Sequence, residues 1–86
     1  MLHIVKSIKT GRNGVVDDVT GKLIVPLNYS KIAMQKYGIV AERSDASSDA
    51  FSFTGTELLR DCRNMLFLED NLIISSLGVL MVNLNG

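Results

Sequence analysis

The chain has 86 residues, of which 47% are hydrophobic and 21% are charged. This composition is too apolar for a disordered chain, and the length is too short for two ordinary domains. Nine basic side chains balance nine acidic ones, so no net charge attracts the chain to nucleic acid or to an anionic membrane surface. We therefore expect one small domain over residues 1–86 with neither nucleic acid nor membrane as a partner.

The two ends of the chain carry the apolar segments that could act in targeting. The start, "MLHIVKSIKT", is too short and too interrupted for a signal peptide, and the stretch "LIISSLGVLMVNL" is well below the length that spans a bilayer. A cytoplasmic location is the resulting expectation.

In chain order, short runs rich in Val, Ile and Leu alternate with turn residues, which is typical of strands. The runs cover residues 2–8, 14–17, 23–27, 38–41 and 72–84. Glycines mark the reversals between them, and the structural turn positions are Gly14, Gly21, Gly38 and Gly55. We predict an all-β protein built as an antiparallel meander of hairpins.

Two segments depart from this pattern. Polar serines and aspartates fill residues 44–50, and this tract predicts an exposed loop inserted into a hairpin. Between residues 56 and 66 the apolar side chains fall on one helical face, and Thr54 and Glu57 have the spacing of a capping box. A short helix near 56–66 therefore stays open as an alternative to a return strand.

The sequence also contains weak internal repeats. Residues 13–32 place Gly14 before two valines, a turn closed by Gly21, an apolar strand with Pro26, and then Tyr29. A weaker unit runs from 37 to 66, with Gly38 near its start and Gly55 in the role of Gly21, and a third begins at 77 and runs to 86. Such periodicity is typical of repeat proteins, in which each unit buries its apolar face against its neighbours.

This layout resembles the WG β-repeat family, whose units have an aromatic residue before Gly, two apolar residues and Asp, a Gly turn, an apolar pair with Pro, and Tyr. Residues 13–32 match well, 37–66 and 77–86 match less well, and the chain has no Trp at the position that names the family. The resemblance implies an array of β-hairpins from a bacterial or phage context that acts as an interaction module, without a catalytic site to transfer to this chain.

No pattern in the sequence predicts catalysis or a bound ion. Lys22 follows Gly21, but Val16 occupies the place where a phosphate-binding loop needs its first Gly. Asp17 and Asp18 are adjacent, so on a strand their side chains point to opposite faces. No catalytic residue, metal ligand, cofactor or small-molecule substrate is expected, and we predict that the protein is not an enzyme.

Two further groups of side chains also fail to predict a site. The first is Asp45 and Asp49, which lie in the Ser/Asp tract without the Gly and final Glu of a calcium-binding loop. The lone Cys62 and the lone His3 lie far apart in the sequence, so they predict no catalytic pair.

The most apolar stretch, residues 72–84, has large side chains at both alternating positions of an extended chain. One face of such a strand packs on the core, and the other needs cover from elsewhere. The stretch also leads into Asn85 and Gly86, a hairpin signal with no return strand. We therefore predict an association edge, and its residues are Ile73, Leu80, Val82 and Leu84.

Small size, balanced charge and the lack of a site together favour a non-enzymatic protein–protein interaction module, such as a small inhibitor or immunity-type accessory protein of phage or mobile-element origin. The alternative is a structural or assembly subunit that acts as a homo-oligomer through its edge strands. The expected partner is accordingly a protein or a second copy of the chain.

Overall fold

The computed structural model describes residues 1–69 and 72–81, and this part of the chain contains ten strands and no helix. The strands are β1 Leu2–Lys6, β2 Asn13–Asp17, β3 Leu23–Tyr29, β4 Lys31–Met34, β5 Ile39–Glu42, β6 Ser48–Phe51, β7 Glu57–Cys62, β8 Leu66–Glu69, β9 Leu72–Ser75 and β10 Gly78–Met81. The predicted all-β class is confirmed.

The strands form three antiparallel sheets, and every pair of neighbouring strands is also consecutive in the chain. Sheet 1 has the order β1-β2-β3, sheet 2 the order β4-β5-β6-β7, and sheet 3 contains β8, β9 and β10 with β9 in the centre. The predicted meander of hairpins is therefore confirmed as well. A single residue, Ser30, separates β3 from β4, so the chain passes directly from sheet 1 to sheet 2.

Sheet 2 contributes its two faces to two separate hydrophobic cores. Successive residues of a strand point to opposite faces, and in β5 Ile39 and Ala41 lie in the first core, whereas Val40 lies in the second. The first core joins sheets 1 and 2 and consists of Val15, Ile24, Val25, Tyr29, Ile39, Ala41 and Phe51. The second core joins sheets 2 and 3 and consists of Val40, Ala50, Cys62, Met65, Phe67 and Ile73. Sheet 2 thus lies between the other two sheets.

The β6–β7 hairpin resembles the β2–β3 hairpin at two positions near its turn. Gly55 lies 34 residues after Gly21, and both turn glycines have positive φ, 97° and 73° respectively. In each hairpin the register shifts twice, and the shift next to the turn adds one residue to the second strand, Ile24 in β3 and Leu58 in β7. The second shift differs, since it adds two residues in β3 and one in β7. Because a bulge increases the local twist of a strand, both hairpins are expected to be more strongly twisted beside their turns.

The other two predicted turn glycines, Gly14 and Gly38, lie at points of close packing. Gly14 lies inside β2, and a Cβ on it would stand 2.4 Å from the carbonyl oxygen of Val25. Gly38 precedes β5, and a Cβ there would stand 2.3 Å from the ring of Phe67. Both glycines therefore permit close approach, and the assignment of Gly14 to a turn was wrong.

The start of the second hairpin also differs from the prediction. The hairpin that Gly55 closes begins at β6, and Gly38 instead introduces β5, which pairs with β6 on one side and with β4 on the other. The Tyr–Gly pair followed by two apolar residues correctly predicted a strand. That strand is not the first strand of the hairpin that Gly55 closes.

The exposed loop predicted for 44–50 is confined to its first residues. Ser44, Asp45 and Ala46 are exposed, but residues 47–50 are buried, and β6 begins at Ser48. The prediction was wrong for these buried residues because it assumed that a polar tract must be solvated. Here Asp49 is satisfied by hydrogen bonds from within the protein, which makes its burial tolerable.

The alternative of a helix near 56–66 is also wrong. Residues 57–62 form β7, which pairs with β6, and the bulge at Leu58 lets two consecutive leucines lie partly buried. Asp61 and Asn64 have φ of 58° and 56°. Left-handed backbone at two positions so close together interrupts any right-handed helix through this segment.

Candidate functional site

Sheet 3 exposes a row of apolar side chains on the side away from the second core. Leu66 on β8 pairs with Ile74 on β9, and Ile74 pairs with Val79 on β10. Leu68, in the bulge of β8, is exposed beside this row. We call these four residues the outer patch; their exposed fractions are 49% for Leu66, 41% for Leu68, 38% for Ile74 and 59% for Val79.

The pairing rows explain why this patch is continuous. Residues opposite one another on neighbouring strands have side chains on the same face of the sheet, so Leu66, Ile74 and Val79 form a band across all three strands. The band contains no charged side chain. Single exposed apolar residues are ordinary, but a contiguous group marks a surface suited to a partner.

Of the four predicted association residues, the structure describes the side chain of Ile73 alone, and it lies away from this patch. Ile73 is fully buried in the second core, so its assignment to an association edge was wrong: it lies on the inward face of β9, and its neighbour Ile74 lies on the outward face. Leu80 belongs to β10, but its side chain, like the whole of Val82 and Leu84, lies outside the described part of the chain. The sequence indicated a strand with apolar side chains on both faces. In the folded protein the face with Ile73 packs in the second core, and the face with Ile74 is exposed.

A second feature is an open cleft of about 340 Å³ at the side of sheet 2. Its floor is the face of β4, β5 and β6 that also carries the second core, and its wall is the connection between β7 and β8. Lys31, Glu42 and Ser48 lie directly opposite one another on β4, β5 and β6, so they form a polar row across this floor. Arg63 and Asn64 line the cleft from the β7–β8 connection.

The cleft combines charge with a small apolar surface. Its apolar lining comes from Ala33, Val40 and Met65. Two of its charged residues, Lys31 and Arg63, are cationic, and the third, Glu42, is anionic. Among the described residues none of the three takes part in an ion pair.

A third feature is a buried polar cluster around Asp49, which is completely inaccessible to solvent. The hydroxyl of Tyr29 donates to one carboxylate oxygen of Asp49 at 2.6 Å, and the amide of Asp61 donates to the other at 3.0 Å. Arg43 forms ion pairs with both Asp49 and Asp61. The cluster therefore ties β3, β6, β7 and the β5–β6 connection together.

The electrostatics of this cluster are those of a structural site. Burial and the hydrogen bond to Asp49 raise the pKa of Tyr29 well above its usual value of 10.0. The guanidinium of Arg43 lies 5.9 Å from the centre of the Tyr29 ring, within the range of a cation–π contact. Both carboxylate oxygens of Asp49 are directed at protein partners, so Asp49 offers no free ligand to substrate or metal. The sequence did not reveal the cluster, because its members are spread over 29–61 and no short motif joins them.

The remaining sequence candidates are not brought together. Asp45 accepts hydrogen bonds from the amide and hydroxyl of Ser47, which lower the pKa of its carboxyl group, whereas Asp49 points into the core. Within the described ranges no group of three His, Cys, Asp or Glu side chains is placed to hold a metal ion.

Cys62 and His3 belong to different parts of the molecule. The Cys62 thiol is buried in the second core and donates to the carbonyl of Arg60 at 3.6 Å. His3 is exposed on β1 and bonds to the carboxylate of Asp18 at 2.8 Å. Asp18 and Asp17 both lie at the β2–β3 turn, where they interact with the amino group of Met1. None of these contacts forms a nucleophile and base pair.

Across residues 1–69 and 72–81 no helix has the length and apolar character needed to cross a membrane. No protein-family profile, curated protein or solved structure matches the chain.

Proposed function

We propose that the protein is a non-enzymatic interaction module that binds a protein partner through the outer patch. The observation that carries this proposal is the uncharged row of Leu66, Ile74 and Val79, which crosses an entire sheet whose opposite face already fills a core. Burying such side chains against a partner stabilises a complex by about 25 cal/mol for each Å² of apolar surface removed from water, before the costs of association.

The repeated hairpin supports the proposal that this module is related to the WG β-repeat proteins. The turns at Gly21 and Gly55 and the matching bulges at Ile24 and Leu58 are the features that favour this relationship. Together with the small size of the chain, they also favour a role as an inhibitor or immunity-type accessory protein of phage or mobile-element origin.

Self-association is the second candidate function. An uncharged patch meets a copy of itself without like-charge repulsion, so a twofold symmetric pairing of two sheets through Ile74 and its neighbours is electrostatically allowed. The partner would then be a second copy, and the protein would act as a structural or assembly subunit.

An exposed lysine on the patch distinguishes these functions. Ile74→Lys introduces a charge in the middle of the row, and Val19→Lys introduces the same charge in the β2–β3 turn, where Val19 is exposed and far along the chain from the patch. Light scattering coupled to size exclusion measures the mass of each variant against the 9.4 kDa of one chain. Affinity capture from the native host with the same three proteins measures binding to a foreign partner.

The two candidates give different results. A wild-type dimer that Ile74→Lys converts to a monomer, with Val19→Lys still dimeric, supports self-association. A monomer that retains one stoichiometric partner in wild-type and Val19→Lys form, and loses it in Ile74→Lys form, supports the foreign partner. Equal behaviour of all three proteins in both measurements contradicts a role for the outer patch.

A further inference from the structure

The cleft beside sheet 2 has features of a ligand site that the outer patch lacks. Its volume of about 340 Å³ lies at the lower end of the range of small-molecule pockets. Its two cations come from different elements, Lys31 from β4 and Arg63 from the β7–β8 connection, and both line the same space.

The backbone holds these groups in defined places. The backbone of Lys31 is fixed by its place opposite Glu42 in the antiparallel pair of β4 and β5. The β7–β8 connection is fixed at Arg63, whose amide and carbonyl both bond to Ser76 at the end of β9. At the end of β4, the side chain of Gln35 accepts a hydrogen bond from the amide of Phe67 at 2.9 Å. The cleft is therefore bounded by strands and turns that hydrogen bonds hold in place.

The charged residues that line the cleft favour an anionic ligand. The described lining residues include two cations and one anion, a charge of +1 for the lining alone, and the carboxyl of Asp45, beside the lining residue Ala46, also interacts with the charge of Arg63. None of the three charged groups is in an ion pair with a described residue. Ala33, Val40 and Met65 supply a short apolar surface next to these charges.

From these observations we propose that the cleft binds a carboxylate carried on a short apolar group. In this proposal Lys31 and Arg63 bind the carboxylate, and Val40 and Met65 contact the apolar group. The same chemistry is found in a free short-chain carboxylic acid and in the C-terminal residue of a polypeptide. This inference does not depend on the outer patch, which lies on the other side of sheet 3 from the second core.

Nuclear magnetic resonance of the full chain tests the proposal with defined probes. Butyrate and pentanoate represent the free acid, and N-acetyl-Ala-Val represents a polypeptide C-terminus; butyramide and the C-terminal amide of the peptide are the uncharged controls. Acid probes are expected to shift the amide signals of Lys31, Val40 and Met65 in a saturable manner, and their amides are expected not to do so. Saturation by the small acids alone identifies a free acid as the source, and much tighter binding of the peptide acid identifies a polypeptide end.

Charge variants make the test specific to the cleft. Lys31→Gln and Arg63→Gln are each expected to weaken acid binding about three- to tenfold, because each removes one charge-assisted contact. Glu42→Gln removes the repelling carboxylate and is expected to strengthen binding about threefold. Lys9→Gln, on the exposed β1–β2 turn, is the matched control and is expected to leave the affinity unchanged.

The result that overturns the proposal is equally defined. Acids and amides that shift the same signals equally, or acids that shift none of the cleft signals at 20 mM or about that concentration, exclude carboxylate recognition there. A Lys9→Gln effect as large as that of Lys31→Gln also contradicts it, since the interaction would then be a general response to charge.

Discussion

At the scale of single residues, Asp49 shows how a polar tract becomes part of a core. An isolated buried carboxylate is very unfavourable, whereas one that is paired and fully hydrogen-bonded is tolerated. Asp49 receives donors from Tyr29, from the Asp61 amide and from Arg43. Its burial is therefore conditional on partners that lie up to 20 residues away in the sequence.

Removing this carboxylate should be costly. Asp49→Ala leaves the Tyr29 hydroxyl and the Asp61 amide without their acceptor, so we expect the free energy of unfolding to fall by about 3 kcal/mol. Asp45→Ala, in the exposed part of the same tract, should cost less than about 1 kcal/mol. Urea denaturation followed by circular dichroism measures both, and equal losses would contradict the structural role of Asp49.

The ionisation of Tyr29 makes the stability of the folded protein depend on pH in the alkaline range. Its pKa is raised in the folded protein, first by burial and then by the hydrogen bond to Asp49. The stabilising contribution of the neutral phenol is therefore complete below its unfolded pKa of about 10 and is lost as the pH rises from there toward the folded value.

The corresponding experiment is a pair of pH titrations of stability. Wild-type protein should lose stability between about pH 10 and 11, and Tyr29→Phe should lose less over the same interval, although it is less stable at neutral pH because Asp49 lacks one donor. Urea midpoints at each pH provide the measurement. A Tyr29→Phe protein with the alkaline loss of the wild type would show that another group causes it.

At the scale of elements, two glycines in the β2–β3 hairpin are required for different physical reasons. Gly21 has a φ of 73°, and a Cβ there would meet no atom within 4 Å, so a side chain at Gly21 is disfavoured by backbone strain alone. Gly14 has no positive φ, but a Cβ there would collide with the backbone of β3. The first case concerns the local chain and the second concerns the packing of two strands.

This distinction predicts the order of two substitutions. Gly21→Ala should destabilise by about 1 kcal/mol, and Gly21→Val by more, since a left-handed backbone disfavours branched side chains most. Gly14→Ala should cost more than Gly21→Ala, because the neighbouring carbonyl at 2.4 Å must move. Thermal unfolding of the three variants checks the order, and Gly14→Ala with the stability of the wild type would contradict the close approach of β2 and β3.

The hairpins could be predicted from the sequence because their signals are local. Gly21 and Gly55 lie between runs of apolar residues, and short-range geometry is enough to place a reversal there. The burial of residues 47–50 could not be predicted in this way, since it depends on Tyr29 and Arg43 being brought alongside by the fold. For the same reason the sequence indicated an apolar C-terminal strand but not that Ile73 faces inward and Ile74 outward.

At the scale of the whole molecule, stability is expected to be highest in the middle. β5 and β6 each pair with a strand on both sides, and each face of sheet 2 contributes to one of the two cores. β1 and β10 are the outermost strands of their sheets in the described part of the chain. Opening the edges therefore breaks fewer contacts than opening the centre.

Amide hydrogen exchange should show this gradient. We expect the slowest exchange at the paired amides of β5 and β6 and markedly faster exchange in β1 and β10, because edge strands open in smaller units than the whole domain. Measurement by nuclear magnetic resonance at neutral pH resolves the individual amides. Equal protection in all ten strands would instead show that the three sheets open only together.

The position of Cys62 has a consequence for chemical labelling. Its thiol lies in the second core with only 4% of the residue exposed, so a thiol reagent reaches it only when that core opens. Since a thiol must ionise in order to react, the rate of modification at fixed pH reports how often this opening occurs. The rate of Cys62 modification therefore measures the opening of the second core. A partner bound to the outer patch of sheet 3 should lower this rate.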